Sequence, residues 1–100
     1  MTDEQDFKTP IHPGEILLEE FMTPYGLSAN KFASAISVPT NRITAILNGS
    51  RSVTAATALR LAAAFDTTPE FWLTLQIHYE LQSEQQNPQP AISRISGHAA

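Results

Sequence analysis

Apolar residues recur at helical spacing in five short stretches, each bounded by proline, glycine or a small hydroxyl side chain. In the first, Pro13 stands where a helix tolerates a missing N–H. Ile16, Leu17, Leu18, Phe21 and Met22 follow as an apolar stripe, and Pro24 stops it, which predicts a helix over about 13–23. Gly26 then breaks the chain. Ser28 is a good N-cap for a helix over 29–35 whose inward set is Phe32, Ala33 and Ile36. Pro39 again suits a first-turn position, and Ile43, Ile46 and Leu47 carry a third helix up to Asn48-Gly49. Thr54 caps an alanine-rich helix over 55–65, and Thr68-Pro69 opens a last one through Leu81. No run of alternating residues reaches strand length, so the fold is expected to be all-α with five helices. The chain from Ser83 onward, with Gln85-Gln86-Asn87-Pro88-Gln89-Pro90, has too little apolar area to offset ordering entropy, and 83–100 is expected to be a flexible polar tail.

The second and third helices are separated only by 36–39. Ala33 is small enough for two backbones to cross, and Ile36, Val38 and Ile43 form an apolar wedge behind the turn, a spacing that suits a helix-turn-helix. A generic helical hairpin would also place apolar residues here, so the exposed side of the third helix decides. With Ile43, Ile46 and Leu47 facing inward, the opposite face holds Asn41, Ala45 and Asn48, flanked by Thr44 and Arg42, with Thr40 near the start. A face that only keeps a protein in solution often mixes Glu with Lys. This one has no acid. Asn can pair with adenine N6 and N7, Thr can meet a thymine methyl, and Ala45 permits close approach, which is the chemistry of double-stranded DNA recognition. Ser28 with the N–H groups at the start of the second helix, Lys31, and the backbone amides and guanidinium of 48–51 would hold phosphates. Arg60 is expected to be an ordinary solvated charge.

Charge distribution agrees with this reading where net charge does not. The 100-residue chain carries a formal charge of −4, yet 25–65 contains Lys31, Arg42, Arg51 and Arg60 and no Asp or Glu. Six acids, Asp3, Glu4, Asp6, Glu15, Glu19 and Glu20, precede residue 21. With 42% apolar and 16% charged residues the chain suits one soluble domain, expected at 11–82 behind an acidic arm at 1–10. The absence of cysteine removes thiolate metal sites and cysteine nucleophiles and fits a cytoplasmic location. No export signal or membrane-length apolar run is visible. Glu15 and Glu19 share a helix face with His12 nearby, but His12, His78 and His98 lie in three different contexts. No metal, cofactor or catalysis is therefore assigned.

The string Ile11-His12-Pro13-Gly14-Glu15-Ile16-Leu17, then Leu27-Ser28, Ile46-Leu47-Asn48-Gly49-Ser50-Arg51-Ser52-Val53, Ala58-Leu59-Arg60-Leu61-Ala62, Pro69-Glu70-Phe71-Trp72-Leu73, Leu75-Gln76 and Tyr79-Glu80-Leu81, resembles the HigA antitoxins. The resemblance covers about 11–82. It implies a phage-repressor-like domain that acts as a dimer, binds its own operator as a repressor, and neutralises a HigB toxin, a ribosome-dependent ribonuclease. Ser37 departs from the glycine often found at the turn of such motifs, which puts the turn's geometry in question.

The last helix shows two apolar arcs, one with Phe71, Trp72, Leu75 and Tyr79, the other with Leu73, Ile77 and Leu81, separated on one edge by Gln76 and Glu80. One arc can face the core. The second is expected to meet another copy of the chain, the alternative being that the first and fourth helices wrap both arcs. A toxin that cleaves messenger RNA, as the resemblance implies, would present positive charge, and Glu15, Glu19 and Glu20 are candidates to meet it. An acidic end that only aids solubility is the alternative there. Two rival functions share much of this chemistry: a stand-alone repressor without a toxin, and a protein-interaction module whose third helix touches no DNA.

Overall fold

The computed structural model describes residues 9–97, so Asp3, Glu4, Asp6, His98 and most of the expected arm lie outside the described residues. Five helical elements follow one another, with no strand among the described residues. They are α1 beginning at Pro13–Ile16, α2 (Ala29–Ala35), α3 (Thr40–Leu47), α4 (Ala55–Phe65) and α5 (Pro69–Gln85). Local chemistry sets most of the starts. Ser28, Thr54 and Thr68 each sit in extended backbone and accept the N–H three residues on, from Lys31, Thr57 and Phe71.

The first helix departs from the expected continuous α-helix over 13–23. After Ile16 it widens into a π-helix over Leu17–Met22 and then tightens into a 3-10 turn over Thr23–Tyr25. Pro24 explains the change, because it brings no N–H and its ring crowds the carbonyl four residues back. The Thr23 N–H reaches Leu18 O, five residues away, instead. The phase of the stripe shifts with it: Leu17 and Met22 are fully buried, Ile16 and Phe21 half-buried, and Leu18 exposed. Smaller differences occur elsewhere. Pro39 is the N-cap of α3 rather than its first residue. The last helix passes Leu81 and runs to Gln85, because Gln82, Glu84 and Gln85 are good helix formers, the latter two at exposed positions.

The core joins Leu17 and Met22 to Phe32, Ala33, Ile36 and Val38 of the α2 region, Ile43 and Ile46 of α3, Val53, Ala58 and Leu61, and Trp72 of α5. Phe21 ties the aromatic end together, its ring 5.0 Å from both Phe65 and Trp72. Trp72 is wholly buried and donates its indole N–H to Thr67 Oγ1 at 2.8 Å, so its polar atom is satisfied. Gln76, expected at a polar edge between two arcs, is buried instead. Its Oε1 accepts the Val53 N–H at 2.8 Å and its Nε2 donates to Glu80 Oε2 at 2.8 Å, bolting the loop before α4 to α5.

Candidate nucleic-acid interface

The interface rests on two turns and one close contact. The contact is at Gly14, where an added Cβ would lie 1.9 Å from Ile46 O, so α1 presses its backbone on the last turn of α3. His12 caps α1 there, accepting the Gly14 N–H on Nδ1 at 2.9 Å, and its ring meets Tyr79 edge-on at 4.8 Å. Burial of that ring holds its pKa below the ordinary 6.5, opposed in part by a hydrogen bond at the Arg51 backbone.

The turn between α2 and α3 closes on Ser37, at φ 61°, with Ser37 N–H to Ser34 O at 3.2 Å and Val38 N–H to Ala33 O at 3.0 Å. Arg60, expected to be an ordinary solvated charge, is exposed but bound there. It reaches across from α4 and donates Nη1–H to Ile36 O at 2.7 Å, satisfying a carbonyl that the end of α2 leaves over. A second tie crosses the turn: Thr40 Oγ1 donates to Asn30 Oδ1 at 2.9 Å, locking the start of α3 to α2. Asn30 gives no signal of its own in the sequence. The register that brings it opposite Thr40 exists only once the turn has formed.

On α3 the expected readers stand as follows. Asn41 and Thr44 are exposed, and the Thr44 hydroxyl donates to Asn41 O at 3.2 Å, which leaves its methyl and lone pairs as what it offers outward. Arg42 is half-buried, and its Nε is enclosed without a hydrogen-bond partner among the described residues. Asn48 is committed locally, its Oδ1 accepting the Ser50 N–H at 3.0 Å and sharing the Ser50 hydroxyl, at 2.7 Å, with Ala45 O at 3.2 Å, which leaves its amide N–H groups as what it offers outward.

The expected phosphate clamp needs one correction. The backbone amides after α3 already close that helix. Gly49 N–H bonds Ile46 O at 3.1 Å, and the Ser50 and Arg51 N–H groups share Ala45 O at 2.9 and 3.1 Å. From this segment the exposed Arg51 side chain and the side-chain amide N–H groups of Asn48 remain for an anion. Lys31 and Ser28 are also exposed, with Ser28 Oγ accepting the Lys31 N–H at 3.1 Å. Glu15, Glu19 and Glu20 are exposed on the first helix. A groove of about 280 Å³ lined by Ile11, Ile16, Leu75 and Tyr79 opens between that helix and α5. On α5, Ile77 and Leu81 are 60% and 55% exposed, while Leu73 is half-buried against the core edge. Among the described residues no group of three or more acids and histidines could hold a metal ion, and no helix is long and apolar enough to cross a membrane.

Residues 18–72 match the helix-turn-helix family model. Virulence-associated protein I of Dichelobacter nodosus is 46% identical over 79 residues, 79% of this chain and 73% of that protein. The structure of an addiction module antidote protein of the HigA family from Coxiella burnetii aligns with a TM-score of 0.72 at 50% identity. That alignment covers 82% of this chain and 99% of that one. Antitoxin GraA in complex with its operator aligns at 0.72 with 44% identity over 84% of this chain and 93% of that one. The chain therefore belongs to the helix-turn-helix family and, within it, to the group of the HigA antitoxins.

Proposed function

We propose that this protein is the antitoxin of a toxin–antitoxin pair and represses its own operon as a dimer. The observation that carries the reading is the outward face of α3. It is polar and free of acids in an otherwise acidic chain, and it is held by two side-chain ties, Thr40 to Asn30 and Arg60 to Ile36. Operator-bound structures of similar proteins support it. In this reading Asn41 and Thr44 meet base edges, with Thr40, Arg42 and Asn48 at the rim of the same face. Ser28, Lys31 and Arg51 position the helix on phosphates.

Two copies joined through Leu73, Ile77 and Leu81 would set their α3 helices about 34 Å apart, one turn of the duplex, on a palindromic site. The domain at 11–82 does this work in the cytoplasm. Glu15, Glu19 and Glu20, on a different helix from the readers, would meet a basic HigB-like toxin while DNA is held.

The test compares Asn41→Ala with Arg51→Ala on the protein's own promoter and on random DNA. Asn41→Ala should lower affinity for the operator alone, by about 1–3 kcal/mol. Arg51→Ala should weaken both DNAs and reduce the salt slope by about one unit. Equal losses from Asn41→Ala on the two DNAs would remove base reading from α3.

A further inference from the structure

We propose that the segment Ile92–Ile95 is a dimerisation arm, seated in the groove that Ile77, Glu80, Leu81 and Glu84 form on α5 of a second copy. The inference rests on the dimer reading above and extends it, the arm covering what the contact between the two α5 helices leaves open of Ile77 and Leu81. Three observations carry it.

The first is area. A stable pair of proteins buries about 800 Å² on each partner. The stripe from Leu73 to Leu81 is only about 12 Å long, and Leu73 is already half-spent on its own core. Two exposed side chains per copy fall short of that requirement.

The second is composition of the chain beyond α5. Ile92 and Ile95 are 83% and 95% exposed, two large apolar side chains in an otherwise polar stretch. Between them lies Arg94, the sole Lys or Arg after Arg60. The groove, about 300 Å³, offers the complement, with Ile77 and Leu81 as its apolar lining and Glu80 and Glu84 as its acids. An exposed ion pair adds little strength but sets register, here with Arg94 toward Glu80 and Glu84 while the isoleucines cover Ile77 and Leu81.

The third is direction. Asn87 N–H bonds Glu84 O at 3.0 Å and Gln89 Nε2 also donates to Glu84 O, so the chain is tied to the end of α5 as far as Gln89. Pro88 and Pro90 favour extended backbone at Asn87 and Gln89. Ile92 and Ile95 stay 83% and 95% exposed, so this stretch does not fold back onto the helix it has just left. An arm that leaves its own helix meets the same groove on a second copy, and two-fold symmetry makes the exchange reciprocal.

Sedimentation equilibrium tests the arm with three proteins: the full chain, a chain ending at Gln89, and the full-length Ile92→Asp/Ile95→Asp variant. The dimer dissociation constant should rise tenfold or more in both altered proteins, with the helical circular dichroism and melting of the monomer unchanged. Arg94→Glu should weaken association and regain it when combined with Glu84→Arg. Because the chain has no cysteine, mixing an Ile77→Cys chain with an Ile95→Cys chain and oxidising should yield a disulfide between the two. An unaltered full chain that stays monomeric at micromolar concentration would remove the dimer and the arm together. A dimer indifferent to loss of the arm, or a disulfide that forms only inside a doubly substituted chain, would overturn the arm and leave the dimer standing.

Discussion

Helices α2 and α3 end in the same hydrogen-bond pattern, yet the two ends are held differently. After α3, Gly49 takes the left-handed conformation at φ 84° and Ser50 bonds back to Ala45; after α2, Ser37 takes it at φ 61° and Val38 bonds back to Ala33. Glycine makes the first turn locally inexpensive. A side chain in this conformation is disfavoured by about 1–2 kcal/mol, so the second turn needs help from elsewhere. Arg60 supplies it through a charge-assisted bond to Ile36 O at 2.7 Å. Such bonds contribute about 1.5–3 kcal/mol. One turn is therefore a local product of its own sequence, and the other is set by α4. The angle between α2 and α3 is thus coupled to that helix.

The sharpest way to disturb the α3 end is not at Gly49 but at Gly14, which supports it from outside. Gly14→Ala should destabilise the fold by about 3 kcal/mol or more in urea titration, because the added methyl meets backbone that has no rotamer to change. A loss below 1 kcal/mol would mean that α1 does not press on α3 as described. Next in size is Arg60→Met, which keeps the apolar stem and removes the bond. A cost of about 1.5–3 kcal/mol is expected, and smaller by at least about 0.5 kcal/mol in a Ser37→Gly background, where the turn is no longer strained. Strict additivity would separate Arg60 from the turn.

Exchanging the turn residues gives the direct contrast. Gly49→Ala should cost about 1–2 kcal/mol, for backbone alone, since its methyl would find only ordinary contact with the His12 ring at 3.8 Å. Ser37→Gly should raise stability by up to about 1 kcal/mol, the relieved strain being partly offset by the greater freedom of glycine in the unfolded chain. Opposite signs in thermal melts are the expected result. The smallest effect concerns pH. Burial lowers the His12 pKa in the folded state, so as pH falls through 6.5 the unfolded chain takes up the proton first and stability declines until the folded pKa is reached. His12→Asn, which can still cap α1, should flatten that decline. An unchanged pH profile would assign it to other groups.

The order and starts of the helices were legible from the sequence because a cap acts on the N–H three residues away, and apolar phase is a property of one helix at a time. Ser28, Thr54 and Thr68 were read this way, as were the Phe32, Ile43 and Ile46 faces. The outward face of α3 and the acid-free stretch around it were legible for the same reason. The π-helix at Leu17–Met22 was half-legible: Pro24 announced a break, but not that the turn before it would widen.

What only the tertiary structure decided are the partners of polar groups that lie far apart along the chain. Gln76 looked like an exposed edge and is buried because Val53, 23 residues away, brings it an N–H. Arg60 looked solvated and holds a carbonyl 24 residues back. The amides after α3 looked available for phosphate and are consumed by the helix they end. Helical periodicity records which side of a helix is apolar, whereas a hydrogen bond needs a donor and an acceptor within about 3 Å. That proximity exists only after the segments that carry them have packed.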